Sequence, residues 1–336
     1  MRAYVLERYG GPERANLREW PKPVPGIDDV LVRVHAAGLN PIDYKIRAGA
    51  LRVVQRFALP VVLGSELAGT VEACGAAVTR FKSGDRVFAR VAKHRLGAFA
   101  EYAAVDASFV AAMPSSLDFA HAAAVPLAAL TALQGLREQL ACGPGQQLLI
   151  AGGAGGVGTF AIPLAKRLGA HVTTTASPRG AALVRALGAD HVIDYTTESL
   201  ADYAGRFDAA YDLVGGVGLA DLFACVKRGG RVLSVAGPPE PRTAKIDLGL
   251  GGLHAALFRF ASRRVRAVAR LHGVDYRFFF MRPDGAQLAE LAALIDAGTL
   301  PVTVDRVFDF AEIADAMSYL ETGRAKGEVV VRIANA

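Results

Sequence analysis

Metal-binding and disulfide frameworks are what this sequence most plainly lacks. Only three cysteines, Cys74, Cys142 and Cys225, occur in 336 residues. They are odd in number and far apart, which leaves no C-x-x-C unit and suits a reducing compartment, here expected to be the cytoplasm. Long apolar runs are missing too. Hydrophobic residues make up 52% of the chain, yet Gly, Pro or charge breaks every run short of the roughly 20 residues a membrane span needs. Residues 1–6 read as a strand, not as a charged segment leading into an apolar one, so no signal peptide is expected. Basic runs interleaved with aromatics are absent, as is any recognised nucleic-acid motif, and the balance of 38 Lys and Arg against 32 Asp and Glu, net +6, suits a small anionic ligand better than nucleic acid. A charged fraction of only 21% argues against disorder, and the length suffices for two domains of ordinary size.

What the chain does have is glycine in one decisive place. Leu148, Leu149 and Ile150 form a short apolar strand that runs into Gly152-Gly153-Ala154-Gly155-Gly156-Val157-Gly158 and then into a helix with Val157, Ala161, Ile162, Ala165 and Leu168 on its apolar face. Read as G-x-G-x-x-G, the pattern puts Gly153 at the tight turn, Gly155 where backbone must approach a pyrophosphate, and Gly158 where helix packs on strand. The helix N-terminus around Gly156 adds unpaired N–H groups and positive dipole for the phosphates. Pro163, inside that helix, is expected to bend it. After the next strand, residues 170–175, a site specific for NAD would place a carboxylate on the ribose hydroxyls, but the chain reads Ala176-Ser177-Pro178-Arg179. A hydroxyl and a guanidinium suit a 2′-phosphate, so NADPH is the expected cofactor; the plain alternative for Arg179 is a solvated residue at a helix start.

The rest of the order is an α/β pattern. Residues 1–122 are β-rich, with strands at 30–36, 68–73 and 85–89, and read as a twisted antiparallel barrel. Helical patterning starts near His121; strands at 147–151, 171–175, 191–194, 208–214 and 231–236 then alternate with helices, which implies a doubly wound parallel sheet. The expected division is 1–122 with 283–336 as one domain and 123–282 as the cofactor domain. Residues 257–271 read as one helix with Arg259, Arg263, Arg266 and Arg270 on a basic stripe opposite Phe260, Val265 and Val268. A solvated or interface helix and weak contact with a membrane surface are both open readings of it.

Taken together, several motifs resemble the medium-chain dehydrogenase/reductase superfamily over essentially the whole chain. They are Gly38-Leu39-Asn40-Pro41-Ile42-Asp43-Tyr44-Lys45, Leu63-Gly64-Ser65-Glu66-Leu67-Ala68-Gly69, Gly84-Asp85-Arg86-Val87, Pro126-Leu127-Ala128-Ala129-Leu130-Thr131-Ala132, the glycine turn, Leu187-Gly188-Ala189-Asp190, Tyr211-Asp212-Leu213-Val214-Gly215-Gly216 and Gly323-Arg324-Ala325-Lys326-Gly327. Within it the sequence is most similar to the zinc-independent quinone oxidoreductases and alkenal or enone reductases. The resemblance implies a GroES-like catalytic domain plus a Rossmann domain, and a homodimer. Zinc-using relatives carry Cys where Asn40 stands and His where Ser65 stands, so no metal is expected.

The implied chemistry is hydride transfer from NADPH to a quinone or an α,β-unsaturated carbonyl. Negative charge then develops on an acceptor oxygen and calls for a donor. Asn40, Tyr44 and Lys45 are the catalytic candidates implied by the resemblance. Lys45 reads equally as an exposed or Asp43-paired lysine, and Tyr44 as cleft wall. The cofactor contacts carried over are Asn40, Thr131, Gly153, Gly155, Gly156, Val157, Gly158, Ser177, Arg179, Tyr195, Val214, Ala236, the Phe279-Phe280-Met281 strand and Lys326. Two rivals remain on the sequence alone: a reductase of enoyl thioesters with the same fold, and a protein that binds NADPH without turnover.

Overall fold

The computed structural model describes residues 1–334. Its chain divides into two compact units, Met1–Leu130 with the chain from Arg282 onward, and Thr131–Met281. The sequence reading placed the first boundary at 122/123; the helix Pro126–Gln134 moves it, because the division falls inside that helix. Helical pattern near His121 is also not one helix. Phe119–Ala123 ends before Pro126, whose ring fixes the first turn of the next.

In the first unit the long strand Asp29–Leu39 pairs antiparallel with Glu66–Cys74, Tyr102–Asp106 and Glu328–Arg332. Arg86–Arg90 and Val110–Ala112 extend the sheet on one side. On the other, Val304–Asp309 pairs parallel with Glu328–Arg332. That pair is parallel because the helix Ile313–Glu321 connects the two strands as a crossover, which brings the second strand back in the same direction. Leu39, Leu63, Leu67 and Phe99 are fully buried in this unit's core. Burying each such side chain is worth about 1.5–3 kcal/mol.

The second unit is a six-stranded parallel sheet in the order His191–Asp194, His171–Ala176, Gln147–Ala151, Phe207–Asp212, Val226–Ser234, Asp275–Phe278. The chain moves outward from Gln147–Ala151 in one direction and returns to fill the other side, so the order reverses between that strand and Phe207–Asp212. At such a reversal the two following connections leave to opposite faces and open a crevice at the carboxyl ends. Leu149, Ala210, Phe223, Val232, Tyr276 and Phe278 pack its core. The helix Gly156–Arg167 passes through Pro163 without a break and buries Phe160, Ala161, Ile162, Leu164 and Ala165. Val157, expected on that apolar face, is instead half-exposed at the helix start.

Residues 257–271 are not one helix. Gly252–Ala261 and Arg263–His272 meet at the buried Ser262, whose hydroxyl donates to the Phe258 carbonyl at 2.6 Å. The arginine periodicity runs through this joint and hid it. Phe279-Phe280-Met281 is likewise not strand: the strand ends at Phe278. No helix among the described residues is long and apolar enough to cross a membrane.

Candidate active site

In the second unit, the strand Gln147–Ala151 ends at Gly152, which has φ +89 and makes the tight turn that the sequence reading gave to Gly153. A Cβ on Gly153 would lie 2.1 Å from Thr174 Oγ1, so this glycine serves close packing onto the neighbouring strand instead. Thr175 fixes the turn from both ends, its hydroxyl accepting from Gly152 N at 2.9 Å and its carbonyl from Gly153 N at 3.2 Å. Gly155 is the N-cap of the helix Gly156–Arg167. A Cβ there would find only Gly152 O, at 3.5 Å, whereas one on Gly158 would meet Gly152 O at 2.5 Å and Gly153 O at 2.6 Å. Gly155 therefore leaves a cradle beside the first helical amides, of Gly156, Val157 and Gly158, where a pyrophosphate fits. Val214, 66% exposed, stands across the turn, its Cγ2 2.7 Å from the position of a Cβ on Gly152.

One strand over, Ser177 caps the helix Pro178–Ala186 and is half-buried, while Arg179 in its first turn is exposed. Ala176 and Asp194 are in register on adjacent parallel strands, so Ser177 and Tyr195 follow neighbouring strand ends. Tyr195 is 58% exposed. The sequence from 177 to 189 holds no Asp or Glu.

On the other side of the sheet, Asp212 and Ser234 form a pin that holds two loops together. Buried Asp212 accepts from Val214 N at 3.1 Å and Gly215 N at 2.8 Å with one oxygen, and from Ser234 Oγ at 2.6 Å with the other. Ser234 Oγ in turn accepts from Ala236 N and Gly237 N. Thr131 is buried, and its carbonyl accepts from Tyr211 Oη at 2.8 Å. Phe280 N donates to Asp247 Oδ2 at 3.0 Å, and Asp247 and Glu240 are both salt-bridged to buried Arg277. Backbone at Ala236 and at Phe280 is thus held by side chains from neighbouring segments.

In the first unit, the helix Pro41–Arg47 begins at buried Asn40. Asn40 N donates to Asp43 Oδ2 at 2.8 Å, and Asn40 Nδ2 donates to Glu66 Oε1. Asp43 Oδ1 accepts the Ser65 hydroxyl at 2.6 Å. The other oxygen of Glu66 accepts from Leu127 N at 2.6 Å, at the start of the helix Pro126–Gln134, where negative charge is favoured. Arg90 is buried beside them and donates to the Ser65 carbonyl at 3.0 Å. Burial pushes Asp43 up to about 6 and Glu66 up to about 7. Burial, and then repulsion from Glu66 and Asp43, holds Glu328 well above the usual carboxylate range.

Tyr44 and Lys45 follow on the same helix, both half-buried. Burial raises the Tyr44 hydroxyl above its ordinary value, with Glu321 adding to the effect, and lowers the Lys45 ammonium. Asp43 is engaged with Ser65 and Asn40, and Lys45 forms no salt bridge with it. Lys326 is half-buried in the turn before Glu328–Arg332.

The chain matches the model of the alcohol dehydrogenase GroES-like domain over residues 26–115 and that of a zinc-binding dehydrogenase domain over 187–331. It is 34% identical to the mitochondrial NAD(P)H oxidoreductase RTN4IP1 of Danio rerio, over 99% of this chain and 91% of that protein. This chain belongs to the quinone oxidoreductase branch of the medium-chain dehydrogenase/reductase superfamily. Other members of the superfamily like it are the chloroplastic NADPH-dependent alkenal/one oxidoreductase of Arabidopsis thaliana, 37% identical over 98% of this chain and 79% of that one, and the quinone oxidoreductase of Coxiella burnetii, whose structure matches with a TM-score of 0.86 at 32% identity over 99% of both chains.

Zinc, which one of the matched domain models carries in its description, does not fit the residues here. Asn40 and Ser65 offer an amide and a hydroxyl, and both donate to carboxylates. Among the described residues no group of three or more His, Cys, Asp or Glu side chains could hold a metal ion. NADPH does fit: the open cradle at Gly155 and the acid-free stretch at Ser177 and Arg179 match its two phosphate-bearing regions.

Proposed function

We propose that this superfamily member reduces quinones or α,β-unsaturated carbonyls with NADPH and without a metal ion. The observation that carries the reading is the Gly155 cradle at a helix N-terminus, with Ser177 and Arg179 and no carboxylate at the adjacent strand end. The Arabidopsis relative, named for NADPH and for alkenals and enones, and the Coxiella relative, named for quinones, support the substrate class.

The nicotinamide supplies the hydride when bound. The chain's own work is placement and charge. The amides of Gly156 and Val157 bind the pyrophosphate, and Ser177 and Arg179 the 2′-phosphate. The Asp212–Ser234 pin keeps the backbone at Val214 and Ala236 fixed. Lys45 and Tyr44 are the donors proposed for the acceptor oxygen as charge develops. Asn40, whose Nδ2 is spent on Glu66, acts by fixing the start of the helix that carries them.

NADPH oxidation followed by absorbance against quinones, alkenals and enoyl thioesters, with NADH in parallel, tests the proposal. Arg179→Glu is expected to raise the KM for NADPH by about 10- to 100-fold, the loss of a charge-assisted bond, with NADH use unchanged. Tight NADPH binding without turnover of any acceptor would overturn the catalytic reading. A homodimer is proposed as well: among the described residues the strand Asp275–Phe278 pairs on one side only, with Val226–Ser234, and an open ladder favours a second copy. The three free cysteines, two of them buried, support a reducing compartment, with the cytoplasm proposed.

A further inference from the structure

Exposed apolar side chains gather on one segment of the second unit. Ile246, Leu253, Leu257, Phe260 and Leu271 are between 47% and 78% exposed. On the helix Gly252–Ala261, Leu253, Leu257 and Phe260 stand at i, i+4 and i+7 and share one face, while Ala255 and Phe258 are buried on the opposite one. A helix that is apolar on both faces has been given one face for the core and another with no partner among the described residues.

The charge on the same segment has one sign. Between Asp247 and Asp275 the sequence holds Arg259, Arg263, Arg264, Arg266 and Arg270, and no acidic residue. The two flanking carboxylates are committed elsewhere, Asp247 to Arg277 and Asp275 to Arg231 and Arg242. On the helix Arg263–His272, Val265, Val268 and Ala269 pack inward, leaving Arg263, Arg264, Arg270 and Leu271 outside. The Arg263 guanidinium lies over the exposed Phe260 ring, 4.0 Å from its centroid, so cation and apolar ridge form one surface.

We propose that this surface docks on an anionic lipid bilayer, with Leu253, Leu257 and Phe260 in the headgroup region and the arginines on lipid phosphates. Apolar burial combined with attraction to anionic headgroups is how an in-plane helix holds to a membrane. Charge selects this occupant over a second copy: two such faces would set eight exposed arginines, Arg259, Arg263, Arg264 and Arg270 from each copy, against each other with no acid between them. It also selects it over polyanions alone, which have no use for three exposed apolar side chains in a row. The proposal stands apart from the catalytic reading, since binding is measured without turnover.

The experiment is co-sedimentation of the full chain with vesicles of phosphatidylcholine alone and of phosphatidylcholine mixed with phosphatidylglycerol. Binding is expected only to the mixed vesicles and to weaken as salt rises. Leu253→Glu with Phe260→Glu, and separately Arg263→Glu with Arg270→Glu, are each expected to weaken it at least about tenfold. Val24→Glu, an exposed apolar site in the other unit, serves as control and is expected to change nothing. An unchanged thermal midpoint confirms that each variant is folded. Equal binding to both vesicle types, no binding to either, or loss in the arginine variant alone with heparin binding as well as vesicles, would overturn the proposal. So would conversion of a dimer to a monomer by the Leu253 and Phe260 changes, which would make the ridge a self-association surface.

Discussion

Ser65 donates its hydroxyl to Asp43 at 2.6 Å, with both residues fully buried. A position that holds a metal ligand in zinc-using relatives is used here to stabilise a carboxylate out of reach of water. Ser65→Ala removes that donor and keeps the shape. The expected cost is about 1–3 kcal/mol by urea denaturation near pH 8, where Asp43 is ionised. Because burial pushes Asp43 up to about 6, the cost should shrink near pH 5, where the group is mostly protonated. An equal midpoint for variant and parent at the higher pH would mean that the bond contributes no stability.

Glu66 makes a second prediction, and its sign follows from burial. With Glu66 pushed up to about 7 and Glu328 held well above the usual carboxylate range, these two carboxyls hold more protons in the folded chain than in the unfolded chain from about pH 4.5 upward. Stability contributed by these groups is therefore present at low pH and lost as pH rises toward and through 7, by at most about 1.4 kcal/mol per pH unit for each group. Glu66→Gln removes one titration and relieves Glu328. Its thermal midpoint should vary less than the parent's between about pH 5 and pH 8. A parent and variant with the same slope would locate the titration outside this cluster.

The glycine turn separates folding from binding. Alanine at Gly158 would drive a Cβ to within 2.6 Å of two backbone oxygens, and backbone has little room to give. A loss of about 1–3 kcal/mol in stability is expected, from overpacking. Alanine at Gly155 meets one atom at 3.5 Å, and its φ of −81 suits any residue. Stability should stay within about 0.5 kcal/mol, while NADPH affinity measured by fluorescence titration falls at least about tenfold, as the methyl enters the pyrophosphate cradle. Gly155→Ala with full NADPH affinity would move the phosphates to another part of the turn.

How much of this was legible beforehand depended on whether the constraint is local. A strand, a glycine turn and a helix in succession are written in consecutive residues, so the cofactor unit and its acid-free strand end could be read directly. The choice of Gly152 over Gly153 for the tight turn could not, because in a run of neighbouring glycines every one tolerates positive φ. The break at Ser262 was masked by arginines that keep helical spacing through it. The links that shape the site, Asp43 with Ser65, Glu66 with Leu127 and Asp212 with Ser234, join residues 22 or 61 apart. They arise only once strands have paired, and no periodicity announces them. Pro126 was a legible stop that the apolar pattern around it overrode.

Lys45 and Tyr44 can be told apart as donors by pH and by substitution. Burial lowers Lys45, so its positive charge is lost at a lower pH than for an exposed lysine. If the ammonium stabilises charge on the acceptor oxygen, kcat should fall on the basic side at a pH below the ordinary lysine range, and Lys45→Met should remove that limb. The expected loss in kcat for the variant is about 10- to 100-fold, with KM for NADPH little changed, the size of one donor lost at developing charge. Tyr44, whose hydroxyl is raised by burial and by Glu321, stays protonated across that range. Tyr44→Phe should then lower kcat by a factor with no pH dependence. A basic limb that survives in Lys45→Met and disappears in Tyr44→Phe would reverse the assignment and make the tyrosine the titrating donor.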